Sequence, residues 1–242
     1  MRPERNVNSR TVFFGLMIIL LIAVPSLGET PSDKPIHQHG LDISWHNGTV
    51  DWEQLSKQEF DFIIVKATEG EDLKDAQFDT NWSELGKTKR LRGAYHYYIT
   101  SDDPDKQAVF FINTVNLGPG DLLPIVDIET VHSGTDKAGL FSKLVVFLNV
   151  LENYYGAKPI IYTAPHFWDQ HFHHHLKGYP LWIAEYGVPH PQLPTGWARW
   201  HIWQYTEDAT VPGVEKPASA GTRGYRMPPI PNPAWIRSIC PR

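Results

Sequence analysis

The chain has 242 residues, 41% hydrophobic and 20% charged, with a formal net charge of −5. That balance excludes intrinsic disorder, which needs low hydrophobicity and high net charge, and it provides no basic field to gather nucleic acid or anionic lipid. One cysteine, Cys240, excludes both an intramolecular disulfide and a cysteine-based zinc site.

Residues 1–28 have the layout of an export signal. Arg2, Arg5 and Arg10 precede an apolar run over residues 12–24, and Ser26 and Gly28 stand at the −3 and −1 positions of a cut after Gly28. The run is shorter than the ~20 residues a spanning helix needs, so a cleaved signal is expected rather than an anchor or a buried helix. The expectation is an exported, periplasmic or extracellular protein that keeps no stable membrane contact after cleavage. Residues 29–38, with Pro31 and Pro35, read as a polar leader.

From residue 40 onward, strand-like and helix-like segments alternate. Strands are expected at residues 40–44, 62–66, 93–99, 122–128, 159–162, 181–184 and 201–205. The run Phe62-Ile63-Ile64-Val65 is continuously apolar, as in a strand buried on both faces. Helices are expected over residues 51–60, 78–89, 104–117 and 137–155, with Asp103-Pro104 as a start signal and Gly156 as a stop. The pattern predicts an α/β fold with a mainly parallel sheet, open or closed into a barrel. Residues 215–242 are proline-rich and aperiodic, and read as a tail packed on or beside a domain at 39–214.

In parallel α/β folds, sites gather at the carboxyl ends of the strands. Acids stand there in this sequence. Asp42 ends the first strand, Lys66 and Glu69 the second, and Leu123-Pro124-Ile125-Val126-Asp127-Ile128-Glu129 ends the fourth. Side chains alternate along a strand, so Asp127 and Glu129 share a face. Glycosidic cleavage needs such a pair, one carboxyl protonated and one ionised; like charges held close push one pKa up and so create the acid. An ion pair or a helix cap is the plainer use of an isolated Asp-x-Glu, but Asp42 and the aromatic surroundings favour a site.

Gly40-Leu41-Asp42-Ile43-Ser44-Trp45-His46, Phe62 to Gly70, the Asp75/Phe78/Asn81 spacing, Gly93-Ala94-Tyr95-His96-Tyr97, Pro124 to Glu129, Leu181-Trp182-Ile183-Ala184 and Trp203-Gln204-Tyr205 follow one another in an order that resembles glycoside hydrolase family 25 lysozymes. The resemblance spans about residues 39–214. It implies a flattened (β/α) barrel with about five βα units and three late strands. The implied activity is hydrolysis of the β-1,4 bond between N-acetylmuramic acid and N-acetylglucosamine in peptidoglycan glycan strands. Glu129 matches the general acid, Asp127 the partner carboxylate, and Asp42 a further acid of the site. The family's Asp-x-Asn segment after its Val-Pro-Gly motif is missing: Val211-Pro212-Gly213-Val214 leads to Glu215-Lys216-Pro217, which makes Glu215 the candidate substitute. That departure keeps a second reading open, a non-cleaving glycan-binding module of the same fold.

Sugars offer apolar C–H faces to rings and hydroxyls to Tyr and Trp donors. Tyr95, Tyr97, Tyr162, Trp182 and Trp203 are therefore the expected substrate-binding residues, with Lys66 and Glu69 as a site-lining pair. His96 lies between Tyr95 and Tyr97, faces away from them and reads as a structural histidine. His166, His171, His173, His174 and His175 form a dense tract, but apart from His171 with His175 its spacings do not fit a zinc site. No metal, no cofactor, no nucleic acid and a monomeric state are expected.

Overall fold

The computed structural model describes residues 37–173, 176, 178–224, 227 and 230. The expected signal at 1–28 and nearly all of the leader lie outside these residues. Chain order begins with β1 (Gln38–Ile43), a short 3-10 turn (Trp45–Asn47), α1 (Trp52–Ser56), β2 (Phe62–Glu69) and β3 (Leu73–Lys74). It continues through α2 (Phe78–Leu85), β4 (Leu91–Tyr97), α3 (Pro104–Thr114), β5 (Ile125–Asp127), α4 (Leu140–Tyr155), β6 (Ile160–Thr163) and α5 (Pro165–His171). The last elements are β7 (Leu181–Ala184), β8 (Ile202–Ala209) and β9 (Ala218–Arg223).

The strands hydrogen-bond in the order β1-β9-β8-β7-β6-β5-β4-β2, and a further β1–β2 pairing closes the ring; β3 is an antiparallel addition to β2. The result is a closed eight-stranded mixed α/β barrel. Within the ring, neighbours from β1 through β2 to β8 are parallel, and β9 runs antiparallel between β8 and β1. Strand–helix alternation leaves the sheet open or closed and the resemblance implies a barrel; the β1–β2 register of Gly40 to Ile43 on Phe62 to Val65 closes it. A side chain at Gly40 would collide with the Phe62 ring, so glycine lets those strands approach.

Local signals explain most elements. Asp51 caps α1 through the Gln54 N–H, and Asp103 caps α3 through the Asp105 and Lys106 N–H groups. α4 buries Leu140, Leu144, Phe147, Leu148, Leu151 and Tyr155 on one stripe and stops at Gly156, whose φ of 66° is left-handed. Seven of the eight residues of β2 are buried, as its apolar run predicts for a strand covered on both faces.

Three expectations are corrected. The domain boundary at 214 falls inside the barrel, because β9 lies beyond it; Ala218-Ser219-Ala220-Gly221 lacks the apolar alternation that marks a strand, and its pairing between β1 and β8 supplies the order instead. Gln38, assigned to the leader, opens β1. A helix absent from the expected elements, α5, starts at Pro165, buries Trp168 and ends at His171, in the histidine tract.

Candidate active site

The parallel strands point their carboxyl ends at one mouth of the barrel, and the acids collect there. Asp42 leaves β1 toward the interior, while Leu41 and Ile43 pack into the core. Gln204 Nε2 donates to Asp42 Oδ2 at 2.9 Å, and Gln204 Oε1 accepts from the Tyr162 hydroxyl at 3.0 Å and the Tyr186 hydroxyl at 2.5 Å. Ser219, the cross-strand partner of Asp42, also hydrogen-bonds the carboxyl. Burial pushes the Asp42 pKa up to about 7, with a smaller push from Glu129, against the pull of Gln204 and Ser219.

β5 delivers the other two acids. The chain stays extended past the strand: the Ile128 N–H donates to the Tyr162 carbonyl at 3.0 Å, and the Asp127 carbonyl accepts from the Tyr98 N–H at 2.9 Å. Val126 and Ile128 are fully buried, and Asp127 and Glu129 face the mouth together, as alternation predicts. Asp127 is deep. Burial raises its pKa well above the carboxylate range, Glu129 adds to the rise, and Lys66 opposes it. Its Oδ1 is buried with no hydrogen-bond partner among the described residues. Glu129 keeps solvent access at the rim, and its pKa is raised by partial burial and by Glu207 against the pull of Lys66.

These acids stand between two cavities that share Tyr95, Asp127 and Glu129. The first, of about 200 Å³, is completed by Asp42, Tyr162, Trp182, Tyr186, Gln204, Glu207 and Ser219. The second, of about 430 Å³, is completed by His46, Lys66, Glu69, Tyr97, Ile99 and His132. Burial and the surrounding carboxylates hold the Tyr95 and Tyr162 phenols far above their ordinary pKa, so both remain hydrogen-bond donors.

Lys66 and Glu69 form an ion pair at 2.6 Å, with Lys66 almost fully buried and its ammonium 4.9 Å from the centre of the Tyr97 ring. Strict alternation would put these two residues on opposite faces. A bulge between Lys66 and Thr68 shifts the register, so that Lys66 pairs with Tyr95, Thr68 with His96 and Glu69 with Tyr97. Thr68 and His96 then face the core, where the His96 ring bonds Thr68 at 2.8 Å and Gln107 at 3.1 Å. Burial lowers the His96 pKa to about 4, and the residue is structural, as its position predicts.

Of the expected substrate-binding residues, Tyr95, Tyr97, Tyr162, Trp182, Lys66 and Glu69 line the two cavities. Trp203 does not: it faces away from the interior, and its indole donates to the Glu185 carbonyl at 2.8 Å. Adjacent residues of a strand point oppositely, and Gln204 takes the inward place. Glu215 is also no site acid; its Oε2 accepts from the Thr49 N–H at 2.8 Å, under the loop that follows β1.

Sequence reading missed Gln204, Tyr186, Glu207, Ser219, His46 and His132. Gln204 carried a signal, as a polar residue flanked by Trp203 and Tyr205. Glu207 carried none, because a register shift between Gln204 and Thr206 turns it inward. Among the described residues, no cluster of three or more His, Cys, Asp or Glu is placed to hold a metal ion. The proposed pairing of His171 with His175 lies partly outside those residues.

Comparison with known proteins agrees with this geometry. The protein YegX of Escherichia coli K12 is 33% identical over 184 residues, covering 74% of this chain and 66% of that protein, so the match spans about two thirds of the relative. Lysozyme M1 of Streptomyces globisporus is 29% identical over 206 residues, covering 78% of this chain and 70% of that protein. A family 25 glycosyl hydrolase structure from Bacillus anthracis matches with a TM-score of 0.69 at 26% identity, over 81% of this chain and 94% of that one. The family model described as Glycosyl hydrolases family 25 matches residues 41–214, from the strand that carries Asp42 to the turn before β9, and the chain belongs to that family.

Proposed function

We propose that this protein is an exported peptidoglycan hydrolase that cleaves the β-1,4 bond between N-acetylmuramic acid and N-acetylglucosamine. The observation that carries the reading is the Asp127–Glu129 pair, with both pKa values raised, between two tyrosine-walled cavities. Membership of the family and similarity to a protein named a lysozyme support it.

The reaction needs a proton on one carboxyl and a charge on another. Two interacting acids in a poorly solvated site share a proton to higher pH than either would alone. Glu129 stands at the rim, within reach of a glycosidic oxygen. A bound glycan removes its remaining water, which raises its pKa further and loads the proton on the donor. Asp127, deeper and close to Lys66, is the partner carboxylate; from there it serves either by activating water or by orienting the 2-acetamido group of the sugar. Asp42 organises the floor through Gln204, to which Tyr162 and Tyr186 are also tied. All these groups come from one chain, so the working unit is taken as the monomer.

The alternative of a non-cleaving glycan-binding module drew on the missing acid after the Val-Pro-Gly motif. Glu207 brings an acid into the first cavity by another route, so that argument no longer favours it. The test is incubation of residues 29–242 with purified peptidoglycan and mass analysis of the fragments. New reducing N-acetylmuramic acid ends are expected; intact glycan, or reducing N-acetylglucosamine ends, would overturn the reading. For export, the expected observation is a chain beginning at Glu29 recovered outside the cytoplasm.

A further inference from the structure

The loop after β1 holds an aromatic ring where burial does not require one. Trp45 is 47% exposed, yet its ring packs against His46 with centroids 3.9 Å apart and planes tilted by 32°. His46 lines the second cavity, so the Trp45 ring packs directly on a residue of that cavity's wall.

The loop is tied on every side. The Trp45 N–H donates to Asp75, a carboxylate only 2% exposed, at 2.9 Å. Ser44 and Asn47 exchange a capping box across the turn. Asn47 Nδ2 donates to the Pro217 carbonyl at 2.6 Å, the Lys216 N–H donates to the Asn47 carbonyl at 3.0 Å, and Glu215 takes the Thr49 N–H at 2.8 Å. An isolated exposed apolar residue is ordinary. One held on a backbone fixed from two directions is different, because a ring ordered beforehand loses little entropy when it captures a ligand.

We propose that Trp45, braced by His46, is a stacking platform for a pyranose ring of the glycan strand lying beyond the second cavity, outside the sugars that flank the cleaved bond. The exposed indole face suits the apolar C–H face of a hexosamine, and His46, in the wall of the second cavity, offers a hydrogen-bonding group to its hydroxyls. The assignment rests on the glycan reading of the groove and deepens it, by making the enzyme favour long strands over short ones.

The test compares kcat/KM on long, peptide-free glycan strands with kcat/KM on the shortest oligosaccharide the protein cleaves. The ratio of the two is the readout, and a general structural loss does not move it. In Trp45→Ala the ratio is expected to fall about 5–10-fold, the size of one lost ring contact, and in Trp45→Phe to stay closer to the wild-type value. A Trp45→Ala ratio equal to the wild-type ratio overturns the platform while leaving the hydrolase reading intact. If the wild-type protein cleaves neither substrate, the hydrolase reading fails by itself. Calorimetric titration of the same long strands into wild type and Trp45→Ala then decides the platform: a Kd weakened about 5–10-fold supports it, and equal Kd values overturn it.

Discussion

Asp42, Asp127 and Glu129 are all held with raised pKa values, at a cost to folding. For Glu129→Gln, a shape-preserving change, a loss of at least ~10²-fold in turnover is expected, since general acid catalysis is worth ~10²–10⁴; turnover on peptidoglycan with an unchanged circular dichroism spectrum checks it. Asp127→Asn is expected to lose activity too, because both roles open to that residue need a carboxylate. A variant that keeps its peak rate and shifts only its pH profile would show Asp127 to be an electrostatic neighbour. Asp42 predicts an effect on stability. Unfolded, it ionises near its ordinary 3.8; folded, at about 7. The unfolded state therefore gives up its proton first, and this group's contribution to stability falls as pH rises through that window. Asp42→Asn keeps an oxygen for Gln204 to donate to and removes the buried charge. Its Tm is expected to exceed that of wild type at neutral pH, corresponding to about 1–3 kcal/mol, with the gap closing as pH falls toward 4 in a series of thermal melts.

At the scale of elements, two register shifts decide which charges the site contains. The bulge in β2 brings Glu69 to the side of Lys66, and the first of two in β8, between Gln204 and Thr206, turns Glu207 toward Glu129. The two strands act on the acid in opposite directions. The Lys66 ammonium favours ionised Asp127 and Glu129, and Glu207 disfavours ionised Glu129. Lys66→Met is therefore expected to move both limbs of the pH–rate profile upward, and Glu207→Gln to move the alkaline limb downward. Profiles that shift the other way, or together, would refute this assignment. The β5 site was legible in sequence because an unbulged strand has a period of two and Asp127-x-Glu129 obeys it. Glu207 was not legible, because a bulge is set by the partner strand and leaves no periodic trace. The outward place of Trp203 was not legible for a related reason: sequence marked the strand but not its inward face, which Gln204 occupies.

The whole molecule depends on closure. β9 is the strand that joins β8 to β1, and it lies in the segment that read as a tail. Without the segment after Val214, β1 and β8 would expose unpaired edges, Asp42 would lose Ser219, and Thr49 would lose Glu215. A chain ending at Val214 is therefore expected to show no cooperative thermal transition and to aggregate, as read by calorimetry and light scattering. A truncated chain that melts like the full one would show β9 to be dispensable.

Sequence by itself determined the α/β class, the carboxylate pair on β5, Asp42 on β1 and most of the tyrosine wall. Each of these follows from local rules: alternation along a strand, apolar stripes on a helix, capping residues and the order of motifs. Motif order implied a barrel, but only the tertiary structure decided that Ala218–Arg223 closes it and that Gln204, Tyr186, Glu207, Ser219, His46 and His132 complete the cavities. These facts depend on hydrogen-bond register between segments far apart in the chain. Asp42 meets Gln204 across 162 positions, a contact that barrel closure creates and that no local pattern near either residue encodes.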